Sequence, residues 1–304
     1  MIPKGPSKGI INSYIMKRPE HLRTIGVVAK KESAGIDELL SQTSAWCRAR
    51  GITLLADSSM AKSCRAKPVA GMESLARKAD LLLVLGGDGT LLATARAAGR
   101  YQKPILGINL GSMGYLTEFT TDELFPALET IWEGRHQIQE RVMLAVEMIR
   151  GKGLSRRYLA LNDAVIHNGV LARIMDLDIS VDGHFVNHFR SDGLIISTPT
   201  GSTAYSLSAG GPILQPDLGA FILTPICPHT LSNRPIVLKD TVCIQVELKM
   251  GGNAMLTIDG QVGEPMVVGD SIRLCKASYA ARLVKPPNKN HFLILRQKLR
   301  WGEP

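Results

Sequence analysis

The sequence predicts two domains: an α/β domain built on a parallel sheet, followed by a mostly antiparallel β domain. Between residues 25 and 134, short apolar runs alternate with helix-forming stretches, which is typical of a parallel sheet covered by helices. From about residue 136, the helical stretches give way to short runs of β-branched and alternating residues. Turn signals such as Asp182-Gly183 and Asp259-Gly260 separate these runs, as in antiparallel hairpins.

The domain boundaries follow from this change of pattern. A chain of 304 residues is long enough to bury a sizeable core in two domains. Patterned sequence begins after Met16, so Met1 and Met16 are both candidate start residues. The expected divisions are a loose leader at 1–22, the α/β domain at 23–140, the β-rich domain at 141–286, and a last stretch at 287–304 that packs back on the first domain.

In the first domain, apolar runs place the strands, and glycines such as Gly51 and Gly134 mark helix ends. The predicted order is a strand at 25–28, a helix at 33–50, a strand at 52–56, a helix at 72–79, a strand at 81–85, a helix at 90–100, a strand at 104–110 and a helix at 121–133. This alternation predicts a Rossmann-like architecture.

In the second domain, the predicted strands lie at 143–149, 158–166, 174–181, 185–189, 194–197, 235–238, 242–248, 255–258 and 271–274. The pattern of residues 291–299 is apolar and basic, unlike that of the strands before it. We therefore expect this last stretch to return to the first domain.

Composition argues against several classes of protein. No apolar run approaches the length needed to cross a bilayer, and the basic leader has no apolar core like that of a secretory signal. The five cysteines are odd in number and lack a C-x-x-C pair, which argues against a disulfide framework and against structural zinc. These features predict a cytoplasmic protein without a membrane partner.

The net charge of +9 raises the possibility of a nucleic-acid partner. The basic residues form only short separated runs, and the aromatic residues, 5% of the chain, are not interleaved with them, so a stacking platform is not predicted. A positive surface also attracts small polyanionic substrates. We therefore expect no nucleic-acid partner.

The most informative segment is the Gly-Gly-Asp-Gly-Thr sequence at residues 86–90, which follows the apolar run at 81–85. A buried strand that leads through glycines into a helix places backbone N–H groups where they can bind a phosphate. Asp88 is unusual there, because a phosphate loop normally avoids negative charge. A carboxylate in this position can deprotonate or orient a hydroxyl, or share a magnesium ion; the alternative is a tight turn in which Asp88 only caps the helix.

A second cluster spans residues 191–211, where a buried strand leads into many hydroxyl and small side chains. Hydroxyl groups and a helix N-terminus suit ribose and phosphate, and small residues let a flat ring approach the backbone. Tyr205 is placed to stack on such a ring. The alternative is a Ser/Thr-rich turn with a helix cap.

The polar pair Asn162-Asp163 interrupts an apolar run that otherwise reads as one buried strand. Buried polar groups need partners, so we expect either a bulge that points both side chains into a cleft or an exposed edge position. Other motifs are weak or missing. His184 and His188 lack a third metal ligand, and the chain contains no G-x-S-x-G, G-x-x-x-x-G-K-[ST] or G-x-G-x-x-G motif.

Together, the loop at 86–90, the pair Asn162-Asp163 and the segment 192–212 resemble the NAD kinase family, and the resemblance extends from about residue 25 to 285. The glycine loop is shared with phosphofructokinases and lipid kinases, whereas the long second motif is specific. The resemblance implies transfer of the ATP γ-phosphoryl group to the 2′-hydroxyl of the adenosine ribose of NAD, which forms NADP.

The resemblance also implies roles for individual residues. Asp88 is the expected general base, and the loop residues Gly86, Gly87, Gly89 and Thr90 are the expected ligands of the ATP phosphates. The expected NAD ligands are Asp88, Gly89, Asn162, Asp163, Arg173, Arg190, Asp192, Thr203, Ala204, Tyr205, Ser206, Leu207, Ser208 and Gln261. Many members of the family have Glu where this chain has Asp163, which shortens the reach of that side chain by one methylene.

The resemblance further implies Mg²⁺ with ATP, and a homo-oligomer, dimer or tetramer, whose site is completed near a subunit contact. The sequence does not assign the magnesium ligands, although Asp88 and the substrate phosphates are candidates. Two alternatives stay open: a lipid or sugar kinase with the same glycine loop, and a sensor that binds NADP without turnover.

Overall fold

The fold is that of a computed structural model, which describes residues 22–30, 33, 35–111, 114–151, 153–169, 174–230 and 232–301. The expected leader at 1–22 lies outside the described residues except for Leu22. Within the described ranges, the strands form three sheets. No helix in these ranges is long and apolar enough to cross a membrane.

The first sheet contains seven described strands, and its core is parallel. Across the sheet, the order is β3-β2-β1-β4-β5-β19-β6. The bounds are β1 Thr24–Ala29, β2 Thr53–Asp57, β3 Lys67–Val69, β4 Leu81–Leu85, β5 Pro104–Ile108, β6 Gln137–Arg141 and β19 Ala281–Lys285. Strand β19 therefore joins this sheet, although its residues fall within 141–286, the range expected for the second domain.

Helices cover both faces of this sheet, and apolar clusters lie on each side. Their bounds are α1 Ile36–Ala49, α2 Gly71–Lys78, α3 Asp88–Ala98 and α4 Leu124–Trp132. The first helix begins later than the expected residue 33, because Gly35 precedes it in the left-handed region at φ +77°.

The second domain is a pair of antiparallel six-stranded sheets. One has the order β11-β10-β15-β18-β7-β8, the other β14-β13-β12-β9-β16-β17. The bounds are β7 Leu144–Arg150, β8 Leu154–Ala160, β9 Asp163–Asn168, β10 Met175–Val181, β11 His184–Ser191, β12 Gly193–Ser197, β13 Ala220–Ile226, β14 Ile236–Lys239, β15 Ile244–Met250, β16 Ala254–Ile258, β17 Val262–Met266 and β18 Ser271–Lys276. The predicted combination of an α/β domain and an antiparallel β domain is thus confirmed, with one shared apolar core between the two antiparallel sheets.

Two short helices complete the fold: α5 Tyr205–Ser208 and α6 His291–Leu299. Helix α6 occupies the apolar and basic stretch 291–299, for which no helix was predicted, and Asn290 caps its first turn by accepting from Leu293 N at 2.9 Å. Its last turn approaches the first domain, where Lys298 Nζ lies 5.9 Å from the ring centroid of Tyr115.

Two expectations about the β-rich domain were wrong. The run at 158–166 is not one strand, because β8 ends at Ala160 and β9 begins at Asp163. The cysteines do form a disulfide, Cys243–Cys275, with Cα atoms 4.5 Å apart. The spacing of the cysteines along the chain did not predict this pair, because the two residues meet only through the antiparallel register of β15 and β18.

Candidate active site

The glycine loop lies at the carboxyl end of β4, between the central strands of the first sheet. All five residues of β4 are buried, and β4 pairs in parallel with β1 and β5. Gly87 caps the following helix α3, whose first residue is Asp88. A Cβ built on Gly87 would have no neighbour within 4 Å, so the loop faces open space there. The helix N-terminus can therefore meet an anion in the cleft.

Four donors from one neighbouring loop bind the Asp88 carboxylate. Its Oδ1 accepts from Leu116 N at 3.1 Å, and from Thr117 N and Thr117 Oγ1, both at 3.0 Å. Its Oδ2 accepts from Tyr115 N at 2.8 Å. Three donors fill the capacity of Oδ1, whereas the single donor at Oδ2 leaves room for one more. The structure therefore fixes the orientation of Asp88 through bonds that a helix cap does not require.

Two residues that were not predicted from the sequence, Asn109 and Gly114, support this arrangement. Asn109 Nδ2 donates to Thr117 Oγ1 at 2.8 Å, which orients the hydroxyl toward Asp88. Gly114 packs so closely that a Cβ there would lie 2.0 Å from Asp88 Oδ1. The signal that could have found these residues is the second glycine-containing segment, 109–114, directly after β5.

The cleft in front of the glycine loop has a volume of about 470 Å³. Two cationic residues that were not anticipated, Lys30 and Lys298, line it together with Gly86, Gly87 and Asp88. Lys30 follows β1, and Lys298 comes from helix α6. An open cleft with a helix N-terminus and two ammonium groups favours a phosphate chain.

The pair Asn162-Asp163 lies at the break between β8 and β9, where the backbone is tied to Asp259. The Asp259 carboxylate accepts from the backbone N–H groups of Leu161 at 3.2 Å, Asn162 at 2.7 Å and Asp163 at 3.2 Å. Among the described residues, Asn162 Oδ1 is buried and has no hydrogen-bond partner. The break thus presents one unsatisfied acceptor, as a ligand-binding position would.

Asp163 is buried beside another carboxylate. Burial, and to a smaller extent the negative charge of Asp259, raise the pKa of Asp163 to about 7. Arg96 of helix α3 balances Asp259, with its Nη1 2.8 Å from Oδ2. A group that titrates near neutral pH in such a position is a candidate for a functional role.

Gln261 of the second domain contacts the first domain beside Arg96 and the glycine loop. Its Nε2 donates to Gly89 O at 2.8 Å, and its Oε1 accepts from Arg96 Nη2 at 2.5 Å. The structure therefore brings the glycine loop, Gln261 and the Asn162-Asp163 break into one cluster. Arg96 and Asp259 were not anticipated as members of this cluster.

The hydroxyl segment forms a 3₁₀ turn at Thr200–Thr203 and the short helix α5. Its start touches the Asn162 break, since Thr198 N donates to Asn162 O at 2.9 Å. Tyr205 is 47% exposed, and Ser208 is exposed beside it. Ser206 is buried, and its hydroxyl bonds to Thr224 Oγ1 at 2.9 Å, so this side chain supports the turn. The half-buried remainder is Thr203, Ala204 and Leu207.

Arg190 and Asp192 lie at the other end of strand β12. In the register of β12 with β9, Ser197 is opposite Asp163 whereas Gly193 is opposite His167. Four residues of strand separate the two ends by roughly 13 Å. The structure therefore does not bring Arg190 and Asp192 to the Asn162 cluster within one chain, and Arg173 lies outside the described residues.

Comparison with known proteins identifies the family. Two family models match: the ATP-NAD kinase N-terminal domain over residues 25–136 and the ATP-NAD kinase C-terminal domain over residues 161–286. The NAD kinase of Geotalea daltonii is 46% identical over 283 residues, which cover 93% of this chain and all of that protein. The NAD kinase of Syntrophotalea carbinolica is 43% identical over 284 residues, with the same coverage.

Solved structures are similar as well. The yeast NADH kinase in complex with NADH has a TM-score of 0.89 and 26% identity, covering 97% of this chain and 93% of that chain. An NAD kinase from Archaeoglobus fulgidus in complex with ATP has a TM-score of 0.72 and 27% identity, covering 91% of this chain and 98% of that chain. These likenesses confirm the resemblance carried by the glycine loop and the hydroxyl segment: the chain belongs to the NAD kinase family and is a kinase that phosphorylates NAD.

Proposed function

We propose that Asp88 is the general base of this NAD kinase. As the ribose 2′-oxygen of NAD forms its bond to the γ-phosphorus of ATP, the bond from that phosphorus to the bridging oxygen breaks. The 2′-hydroxyl proton passes to Asp88, and ADP leaves with the bond electrons. This assignment is supported by the four hydrogen bonds that orient the Asp88 carboxylate, because they leave one acceptor position of Oδ2 free.

The glycine loop is proposed to hold the ATP phosphates through Gly86, Gly87, Gly89 and Thr90. The open space at Gly87 lets phosphate oxygens approach the backbone at the N-terminus of α3. Lys30 and Lys298 line the same cleft and would offset the charge of the phosphate chain. In-line positioning of donor and acceptor is the main requirement of phosphoryl transfer.

The Asn162 break and the hydroxyl segment are proposed to bind NAD. Asn162 Oδ1 is buried without a partner and is suited to accept from a ribose hydroxyl. Asp163 supports the same ribose region, and Gln261 connects it to Gly89. On the adenine side, the proposal places Thr203, Ala204, Tyr205, Leu207 and Ser208 against the ring, with Ser206 fixing the turn.

Magnesium is proposed to enter with ATP. No three His, Cys, Asp or Glu side chains of the described ranges gather into a metal site. This fits Mg²⁺ in a kinase, because that ion is usually held by substrate phosphates, waters and only one or two carboxylates. Asp88 is the carboxylate within the glycine loop, and it lines the cleft in front of it. When bound, Mg²⁺ neutralises charge on the phosphates.

A cytoplasmic homo-oligomer, dimer or tetramer, is proposed as the working state. The support for the oligomer is the position of Arg190 and Asp192, which lie at the far end of β12 from Asn162. If both residues contact the part of NAD that Asn162 binds, a second copy of the chain would bring them there. Each site would then combine the glycine loop of one subunit with Asp192 of another.

Two experiments test this proposal. Purified protein is incubated with NAD, ATP and Mg²⁺, and NADP is followed with a coupled dehydrogenase. Phosphorylation of lipid in place of NAD would contradict the proposed reaction.

The second experiment tests whether subunits share sites: inactive Asp88→Asn and Asp192→Asn proteins are dissociated, mixed and reassembled. Shared sites predict that the mixture regains a fraction of the wild-type activity. Permanent inactivity of hybrid oligomers whose parents are well folded would show that the residues act within one chain.

A further inference from the structure

A large cleft, of about 650 Å³, lies between helix α3 of the first domain and strands β7, β8 and β18 of the second. None of its lining residues is among the ligands of NAD or ATP proposed above. The cleft reaches the disulfide, because Cys275 of β18 is part of its lining, whereas Cys243 is not. A molecule in the cleft therefore meets one residue of the disulfide and not the other.

The lining of this cleft carries more positive than negative charge. Four arginines line it, together with a single acidic residue: Arg96, Arg100, Arg157, Arg273 and Glu147. Glu147 accepts from Arg157 Nε at 3.0 Å, and Arg96 and Arg100 pair with carboxylates outside the lining. Within the described ranges, Arg273 has no carboxylate at ion-pair distance. Because the exposed pairs of Arg100 and Arg157 are weak in water, these two guanidinium groups and that of Arg273 are available to an anionic ligand.

Arg273 also contacts the disulfide. Its Nη2 lies 4.0 Å from Cys243 Sγ. An acidic residue, Asp182, contacts Cys243 as well, but its carboxylate accepts from the backbone N–H of Cys243 at 2.9 Å and is exposed to water. The charged group in contact with this sulfur is therefore a cation. A neighbouring arginine lowers the pKa of a cysteine thiol and so stabilises its thiolate.

The two sulfurs are therefore unequal in thiol–disulfide exchange. In this reaction a thiolate attacks one sulfur and expels the other as a thiolate, and the exchange is faster when the leaving thiol has a low pKa. Attack on Cys275 from the cleft expels Cys243 beside the Arg273 guanidinium. Access and leaving-group stability thus favour the same direction. In the cytoplasm proposed above, disulfides are usually transient, which fits an exchangeable pair.

We propose that Cys275 is the site at which a small thiol that carries carboxylates reacts with this protein. The arginines of the cleft bind the carboxylates, and the thiol loses its proton to water. Its sulfur then forms a bond to Cys275 Sγ, the Cys243–Cys275 bond breaks, and the electron pair of that bond leaves on Cys243 Sγ. The product is a mixed disulfide on Cys275 and a free Cys243 thiolate. A second thiol that attacks the mixed disulfide releases the first as an oxidised dimer and leaves both cysteines reduced.

The test uses glutathione and its diethyl ester, which carry the same thiol but differ in their two carboxylates. The oxidised protein, with the exposed Cys227 alkylated beforehand, is mixed with an excess of either reagent. The reaction is quenched with acid at intervals, and peptide mass spectrometry follows the loss of the disulfide and locates the adduct. Rates are compared per thiolate, so that a difference in thiol pKa does not contribute.

Three variants separate recognition of the carboxylates from stabilisation of the leaving group. Arg157→Gln removes a cation that lines the cleft. Arg156→Gln is the matched control, because this neighbour in β8 pairs with Glu264 and does not line the cleft. Arg273→Met removes the cation beside Cys243.

We expect glutathione to open the disulfide about tenfold or more faster than its ester, as for the gain of one hydrogen bond between charged groups, with the adduct on Cys275. Arg157→Gln should reduce this preference, whereas Arg156→Gln should leave it unchanged, and Arg273→Met should slow both reagents. The proposal is overturned if the disulfide persists in excess glutathione, if the ester reacts as fast, or if the adduct lies on Cys243. It is equally overturned if Arg157→Gln behaves like Arg156→Gln, or if Arg273→Met leaves the rate with the ester unchanged.

Discussion

Gly114 leaves the space that the Asp88 carboxylate needs in order to accept its four hydrogen bonds. A Cβ at this position would lie 2.0 Å from Asp88 Oδ1 and 2.4 Å from Thr117 Oγ1, whereas real Cβ contacts essentially never fall below 3.0 Å. Gly114→Ala must therefore push the carboxylate away by about 1 Å, and a misplacement of this size can lower turnover roughly 100-fold. The shift also weakens the bonds from Leu116 N and Thr117 N, which orient Asp88.

The assay is steady-state NAD phosphorylation with NADP coupled to a dehydrogenase, together with Kd for NAD and Tm. We expect kcat to fall roughly 100-fold while the Kd for NAD changes much less. Gly111→Ala is the matched control from the same loop, because its Cβ would lie 3.8 Å from Asn109 Oδ1, an ordinary contact. Wild-type kcat in a folded Gly114→Ala protein would refute the reasoning.

Three further predictions concern residues close to Asp88 and Asn162. Because the pKa of Asp163 is raised, its ionisation lowers the free energy of unfolding as the pH rises from 3.8 to about 7, by a few kcal/mol in total. Asp163→Asn should remove this loss, so that the free energy of unfolding measured in urea depends less on pH over this range. An unchanged pH dependence would contradict this. Arg96→Met leaves the buried Asp259 carboxylate without its ion pair and should lower the free energy of unfolding by roughly 3 kcal/mol; a urea midpoint like that of the wild type would count against the ion pair. Gly87→Ala should leave Tm nearly unchanged, because its Cβ meets nothing, yet raise the KM for ATP; an unaltered KM would place the phosphates elsewhere.

The local features of the active site were predictable from the sequence. Five consecutive apolar residues can form a short strand only if both faces are buried, and β4 has the expected bounds Leu81–Leu85. The glycines that follow leave few alternatives to a turn into a helix. The misfit of Asn162-Asp163 in an apolar run likewise predicted a special position, although the structure resolves it as a break between two strands.

The contacts that position these groups were not predictable, because they join residues far apart in the chain. The donors to Asp88 come from 27 to 29 residues downstream, and Asp259 holds Asn162 across 97 residues. Neither spacing follows a helix or strand period. The disulfide was missed for the same reason, since Cys243 and Cys275 meet only through the register of β15 and β18.

The central claim is that Asp88 accepts the proton of the 2′-hydroxyl. Its most direct test is Asp88→Asn, which keeps the size of the side chain but removes its basicity, in single-turnover phosphorylation of NAD with the Kd for NAD measured in parallel. A general base contributes about 10²–10⁴-fold, so the account predicts a loss of this size in the transfer rate with a nearly unchanged Kd. Near-normal transfer by a folded Asp88→Asn enzyme would contradict the account.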